Sequence, residues 1–116
     1  MDAKLKRKWL KALRSGEYRQ GRGQLVTGDG KNFCCLGVLA DVMGCEWQES
    51  EMDCDSSLVP ILPKDRRPLA PRGEDWLSAK KTGLSHEKQE QLAGMNDEGA
   101  SFKQIASFIE AAKDGR

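Results

Sequence analysis

The sequence predicts a single small α+β domain over 1–116. It is mainly helical, with a central buried helix, a short β-hairpin or small sheet, and a C-terminal αα-hairpin. The most apolar stretch of the chain, 32–44, contains no Lys or Arg, and Asp41 is the one clearly polar residue in its interior. Amphipathic segments at both ends are separated from this stretch by turn-forming residues. A chain of 116 residues can bury one modest core.

A first helix is predicted over 2–15, and Gly16 is expected to end it. Its apolar residues form one stripe at helical spacing, with lysines on another face: Leu5, Trp9, Ala12 and Leu13. A glycine-spaced loop over 18–23 and a short strand over 24–27 are expected to follow. The turn signal at 28–31 then predicts a hairpin that folds back through the next two residues.

The central helix predicted over 32–44 is apolar nearly all round, which places it in the middle of a small domain. Asn32 is the expected N-cap and Gly44 the expected residue after the C-cap. Cys34 and Cys35 would then lie in the first turn, where free amides and the helix dipole favour a thiolate. Since neighbouring helix positions point about 100° apart, one thiol is expected to be buried and the other nearer solvent.

Residues 45–71 are the least regular part of the sequence. They are acidic at first and proline-rich later. Their one apolar cluster comprises Leu58, Val59, Ile61 and Leu62. We expect irregular structure here with one short strand near 57–62.

Two helices are predicted near the end of the chain. Ser85 is the expected N-cap of a helix over 86–95, and a second helix follows over 101–113. Ser101 and Gln104 have the spacing of a capping box at the start of this second helix.

The net charge of +1 hides a strong asymmetry along the chain. Residues 1–24 contain eight Lys or Arg against two acidic residues, whereas 32–63 contains no Lys or Arg. The opposite patches are expected to face each other, within the chain or across a homo-oligomer, and a basic surface for a nucleic acid or acidic protein is the alternative. No secretory signal and no segment of transmembrane length is recognisable, so a cytoplasmic location without a membrane partner is expected. The four cysteines are then expected to be thiols.

A thiol-dependent hydrolase that uses Cys34 or Cys35 is one hypothesis, because a cysteine at a helix amino terminus can act as a nucleophile. Such an enzyme also needs an imidazole, and the only histidine, His86, is predicted at the start of a surface helix. Enzymatic activity is therefore not the leading expectation. No cofactor is expected, and no metal site either, because the cysteines lack C-x-x-C spacing.

Three stretches of the sequence carry a family resemblance: Y-x-Q-G-x-G-x-L at 18–25, F-C-C-L-G-V-L at 33–39 and M-N-D-x-G-x-S-F-x-x-I-A at 95–106. Together they resemble a group of small uncharacterised proteins carried by phages and prophages. The resemblance covers most of the chain apart from 45–75 and brings no assigned activity. It implies an accessory protein in a bacterial host. By analogy with other small phage proteins, such a protein inhibits a host defence protein or sequesters a nucleotide-like signal.

The leading hypothesis is a non-enzymatic binding protein for a host protein or a small polar or anionic ligand. Nucleic-acid binding through the basic first helix is a further alternative, and no such complex is expected to survive physiological salt. The candidate surface lies where three segments could converge: the 18–24 loop, the amino end of the central helix and the 96–99 turn. Its candidate binding residues are Tyr18, Arg19, Gln20, Arg22, Asn32, Cys34, Cys35, Asn96 and Asp97.

The candidate residues in the two loops exceed what a connection between elements requires, and free amides at the helix amino end would suit an anion. Alanine at five positions is therefore expected to abolish binding while leaving the melting temperature nearly unchanged. These positions are Tyr18, Gln20, Arg22, Asn96 and Asp97.

Overall fold

The computed structural model describes residues 3–21, 25–26, 31–49, 58–62, 67–68, 77 and 82–111. The helices in these ranges are α1 (Ala3–Ser15), α2 (Cys35–Val42), α3 (His86–Asp97) and α4 (Phe102–Ala111). The strands are β1 (Arg19–Gln20), β2 (Asn32–Phe33), β3 (Glu46–Glu49), β4 (Leu58–Leu62) and β5 (Arg67–Pro68). The predicted small, mainly helical α+β fold is confirmed. Among the described helices, none has the combined length and apolar character that crossing a bilayer requires.

Helix α1 lies close to its predicted bounds and ends at Gly16, which has a φ of 79°. Its apolar stripe buries Trp9, Leu10 and Leu13 and packs against α2 and α4. The Trp9 indole N–H donates a hydrogen bond of 2.8 Å to the Cys35 carbonyl oxygen. This bond ties α1 directly to the first turn of the central helix.

Helix α2 occupies the centre of the core, as predicted, and every residue from 35 to 40 is buried. Its start differs from the prediction, because Asn32 belongs to β2 and Cys34 is the N-cap. The Cys34 sulfur accepts from the Gly37 N–H at 3.4 Å. The residue after an N-cap has to be helical, and Phe33 still belongs to β2, so Asn32 cannot cap the helix. At the other end, Gly44 follows the C-cap with a φ of 86°, as expected.

A small sheet forms beside the amino end of α2. Strands β1 and β2 pair in parallel, with Arg19 opposite Asn32 and Gln20 opposite Phe33. Val26 adds an antiparallel bridge to Phe33, which is the described part of the predicted hairpin. Of the predicted strand over 24–27, the structure describes only residues 25 and 26. Most of the predicted turn over 28–31 lies outside the described residues. The parallel pairing was not predicted, since two-residue strands leave no periodic pattern in a sequence.

A second sheet has the antiparallel order β3-β4-β5. Strand β4 confirms the strand predicted near 57–62, and it pairs with β3 through Glu46–Ile61 and Trp47–Pro60. The expectation of otherwise irregular structure in 45–71 is wrong at β3 and β5. Strand β3, with the sequence E-W-Q-E, contains a single apolar residue and therefore lacks the apolar alternation that marks a half-buried strand.

The C-terminal αα-hairpin begins with the predicted caps. The Ser85 hydroxyl accepts from the Lys88 N–H at 3.2 Å. In the capping box, Gln104 Oε1 accepts from the Ser101 N–H at 2.9 Å and the Ser101 hydroxyl accepts from the Gln104 N–H at 3.2 Å. Helix α3 extends two residues beyond its predicted end, to Asp97, and α4 buries an apolar stripe that comprises Phe102, Ile105, Ala106 and Ile109.

Gln89 on α3 is fully buried although glutamine is usually exposed. Its Oε1 accepts from the Leu77 N–H at 2.6 Å, and its Nε2 donates to the carbonyl oxygens of Leu77 at 2.9 Å and Leu84 at 3.1 Å. The side-chain amide thus satisfies backbone groups that would otherwise be buried without partners. It fastens Leu77 and the segment that leads into α3 to the helix itself.

Candidate functional site

The three segments expected to form the candidate surface meet at the side chain of Asn96. Its Oδ1 accepts from Gln20 Nε2 at 3.0 Å and from the Cys35 N–H at 3.3 Å. Its Nδ2 donates to the Gly21 carbonyl oxygen at 2.7 Å. The end of α3 therefore binds both the loop after β1 and the amino end of α2. We call Gln20, Gly21, Cys35 and Asn96 the junction.

Asn96 is fully buried, and its amide is engaged with three partners of the protein itself. The expectation that Asn96 exceeds the needs of folding is therefore wrong. The Gln20 amide is also partly committed to structure, because it donates a second bond of 2.6 Å to the Ala100 carbonyl oxygen. The side-chain amides of Asn96 and Gln20 therefore link the segments of the junction to one another, instead of projecting from it.

Three backbone amides at the amino end of α2 already have acceptors within the protein. The Cys34 N–H donates to the Leu25 carbonyl oxygen at 3.0 Å, and the Cys35 N–H donates to Asn96. The Gly37 N–H is bound by the Cys34 sulfur. The expectation of free amides is wrong at these positions, because neighbouring segments and the cap residue supply the acceptors.

Both thiols of the Cys34–Cys35 pair are buried, with exposed fractions of 6% and 0%. The expectation that only one thiol would be buried, with the other nearer solvent, is wrong, because Cys34 is a cap outside the helical wheel and is buried as well. The Cys35 thiol donates to the Leu92 carbonyl oxygen at 3.6 Å. Burial raises the pKa of Cys34 to about 11 and that of Cys35 well above its ordinary value. The expected thiolate is therefore disfavoured at neutral pH.

The imidazole that a thiol hydrolase needs is not beside this pair. His86 is exposed at the first residue of α3, whereas Cys35 contacts the Leu92 carbonyl six residues further along. At 1.5 Å per residue, these two positions on α3 are about 9 Å apart along the helix axis. The thiols of Cys34 and Cys35 thus have raised pKa values, and the imidazole of His86 does not lie beside them.

We expect Cys34 and Cys35 to resist thiol reagents equally in the native protein. Both are buried and both have a raised pKa, so modification has to wait for opening of the fold. Peptide mass spectrometry after labelling with a maleimide, with and without urea, measures both rates. Fast labelling of either thiol near pH 8 without urea would contradict the burial described here.

The remaining predicted site residues lie around the junction with different exposures. Arg19, Gln20 and Asp97 are exposed, whereas Tyr18 and Asn32 are half-buried. Arg19 and Asn32 are paired across the β1–β2 sheet, so their backbones lie side by side. Arg22 lies outside the described residues.

A row of half-buried aromatic rings runs next to the junction, and sequence reasoning missed most of it. Tyr18 and Phe33 make an edge-to-face contact at 5.1 Å between ring centroids, and Phe33 and Trp47 make another at 6.0 Å. We call Tyr18, Phe33 and Trp47 the aromatic row. Such contacts fix ring orientation while leaving part of each ring exposed.

The carboxylate of Asp41 holds both ends of the aromatic row. Asp41 accepts from the Tyr18 hydroxyl at 2.5 Å and from the Trp47 indole N–H at 3.2 Å. Burial, and then the hydrogen bond to Asp41, raises the pKa of Tyr18 above its ordinary value. A lone Asp in an otherwise apolar helix was the sequence signal for this anchor, because a half-buried carboxylate needs donors.

In the described part of the chain, no group of three His, Cys, Asp or Glu side chains is arranged to hold a metal ion. The model of a family described as a domain of unknown function matches residues 1–113. No curated protein and no solved structure matches the chain.

Proposed function

Because the chain belongs to this family, DUF8296, whose description assigns no activity, we propose its function from the site itself. The protein acts by non-covalent binding of a partner protein through the surface around the junction. We call this surface the junction face. It comprises the exposed Arg19, Gln20 and Asp97 together with the aromatic row.

The single observation that carries this proposal is the buried amide of Asn96 beneath the exposed side chains. It joins the loop after β1, the start of α2 and the end of α3 through direct hydrogen bonds. Binding therefore does not have to order these segments first. A surface that is ordered before it meets its partner loses less entropy on association.

The chemistry of the junction face favours a protein over a small anionic ligand. Arginine, tyrosine and tryptophan are the side chains that most often carry binding energy in protein interfaces, and Arg19, Tyr18 and Trp47 supply all three. The Asp97 carboxylate opposes an anion, and the amides of Cys34, Cys35 and Gly37 at the start of α2 are already engaged. Sequestration of a nucleotide-like ligand is thus the second candidate function.

The proposed setting is the cytoplasm of a bacterial host, with a phage or prophage as the source of the protein. The resemblance to phage proteins includes Tyr18, Gln20, Gly21 and Asn96, and these residues build or border the junction. By analogy with small phage accessory proteins, the partner is a host defence protein that binding inhibits.

The test is affinity purification of the tagged protein from host cells, with quantitative mass spectrometry of captured proteins and released small molecules. We expect at least a tenfold loss of one captured protein with Arg19→Ala and with Asp97→Ala. Lys103→Ala is the matched control, because Lys103 is an exposed charged residue on α4. Melting temperatures of all three variants should stay within about 3 °C of the wild type, since exposed substitutions usually cost less than about 0.5 kcal/mol.

Two results would contradict this proposal. In one, the captured protein is retained equally by all three variants. In the other, the Arg19 and Asp97 variants lose a captured small molecule but no captured protein, which would favour sequestration of a small ligand.

A further inference from the structure

The outer face of α1 presents four exposed cations in one stripe: Lys4, Arg7, Lys8 and Lys11. Their spacing of three, four and seven residues places them on the same side of the helix. The buried side chains of Trp9, Leu10 and Leu13 define the opposite side. We call these four residues the basic face, and it extends about 10 Å along the helix axis.

The basic face carries charge of one sign only. Helix α1 contains no acidic residue, whereas α3 and α4 each contain charged residues of both signs. Within the described ranges, the ion pair on α1 joins Arg14 to Glu110 on α4 at 3.0 Å. That pair lies beyond the basic face, and no described carboxylate pairs with its four cations.

This arrangement disfavours the helix itself. Like charges four residues apart, as in Lys4–Lys8 and Arg7–Lys11, repel each other on a helix surface. Cations in the first turn also oppose the positive end of the helix dipole, and the first turn of α1 contains no acidic residue. A bound polyanion would remove both penalties at once.

We infer that the basic face of α1 docks the phosphate backbone of a nucleic acid without reading its sequence. Lysine ammonium groups act as point charges that suit phosphates. The face contains no aromatic, Asn or Gln side chain with which to stack on a base or read its edge. A protein partner is a poorer fit, because protein interfaces need an apolar or aromatic centre. This contact is separate from the junction face.

The number of cations limits the strength of the complex. If all four contact phosphates, the logarithm of the binding constant should fall against the logarithm of salt with a slope of about −3.6. The complex should therefore form at low salt and weaken sharply toward physiological salt. That behaviour agrees with the expectation from sequence that no tight complex survives there.

The test is a titration of a fluorescently labelled DNA duplex, followed by anisotropy at several salt concentrations. We expect Lys8→Gln and Lys11→Gln each to make the slope shallower by about 1, and Lys103→Gln on α4 to leave it unchanged. A second duplex of shuffled sequence should bind equally. Thermal melting of each variant should show no loss of stability, because removing a cation lessens repulsion within α1.

The inference is overturned if the wild type does not bind either duplex at low salt, or if the slope is the same in the Lys8 and Lys11 variants. Binding of a poly-glutamate peptide in place of DNA, with the same dependence on Lys8 and Lys11, would assign the face to an acidic protein. None of these outcomes bears on capture of a protein by the junction face.

Discussion

Replacing Gly37 with alanine is expected to prevent the protein from reaching its native packing. A Cβ atom at this position would lie 1.8 Å from the carbonyl oxygen of Leu25 and 2.7 Å from its carbonyl carbon. Both are backbone atoms, so no side-chain rotation can relieve the overlap. The loss of stability should exceed the roughly 1–3 kcal/mol that an extra methyl group usually costs in a packed core.

The Leu25 backbone cannot retreat from Gly37 without a further loss. Its carbonyl oxygen accepts from the Cys34 N–H at 3.0 Å, and Cys34 caps α2. Urea unfolding of Gly37→Ala measures the effect. Gly94→Ala is the matched control, because a Cβ there has no atom within 4 Å, and it should stabilise α3 by up to about 1 kcal/mol. An unchanged urea midpoint for Gly37→Ala would mean that Leu25 does not pack on the helix in this way.

Asn96→Ala is expected to lower both stability and binding. The substitution leaves the buried Cys35 N–H and the Gly21 carbonyl oxygen without their partner and removes one acceptor from Gln20. Leaving a buried polar group unpaired costs about 1–3 kcal/mol, so a total loss of about 3 kcal/mol is expected. The junction face should lose its order at the same time.

Asp97→Ala separates the two effects of the Asn96 substitution. Asp97 is the next residue and is exposed, so its replacement should leave stability nearly unchanged while weakening capture of the partner. Urea unfolding and the capture experiment applied to both variants give the comparison. Equal stability of Asn96→Ala and Asp97→Ala would refute the role of the buried amide.

Local patterns made the helices predictable. The stripe of α4, its capping box and the end of α1 at Gly16 each depend on residues within one or two helical turns. The burial of α2 followed from its composition alone. Predicting these features needs no knowledge of which segments pack against them.

The features that build the site depend on contacts between distant parts of the chain, and sequence patterns do not contain them. The parallel pairing of β1 with β2 decides that Cys34, and not Asn32, caps α2. The partners of Asn96 are 61 to 76 residues away, so its burial leaves no local signal. The convergence of three segments was predictable, but which side chains would be enclosed by it was not.

The packing of α1 on α4 also constrains how the chain can fold during synthesis. Arg14 and Glu110, which join these helices, are 96 residues apart. Helix α1 leaves the ribosome long before α4, which packs against it, so part of its apolar stripe stays uncovered until α4 is synthesised. Contacts of such long range slow folding and expose apolar surface to other chains in the meantime. A nascent chain arrested before residue 102 should therefore be sensitive to protease and bind chaperones, and both properties should disappear once α4 has emerged.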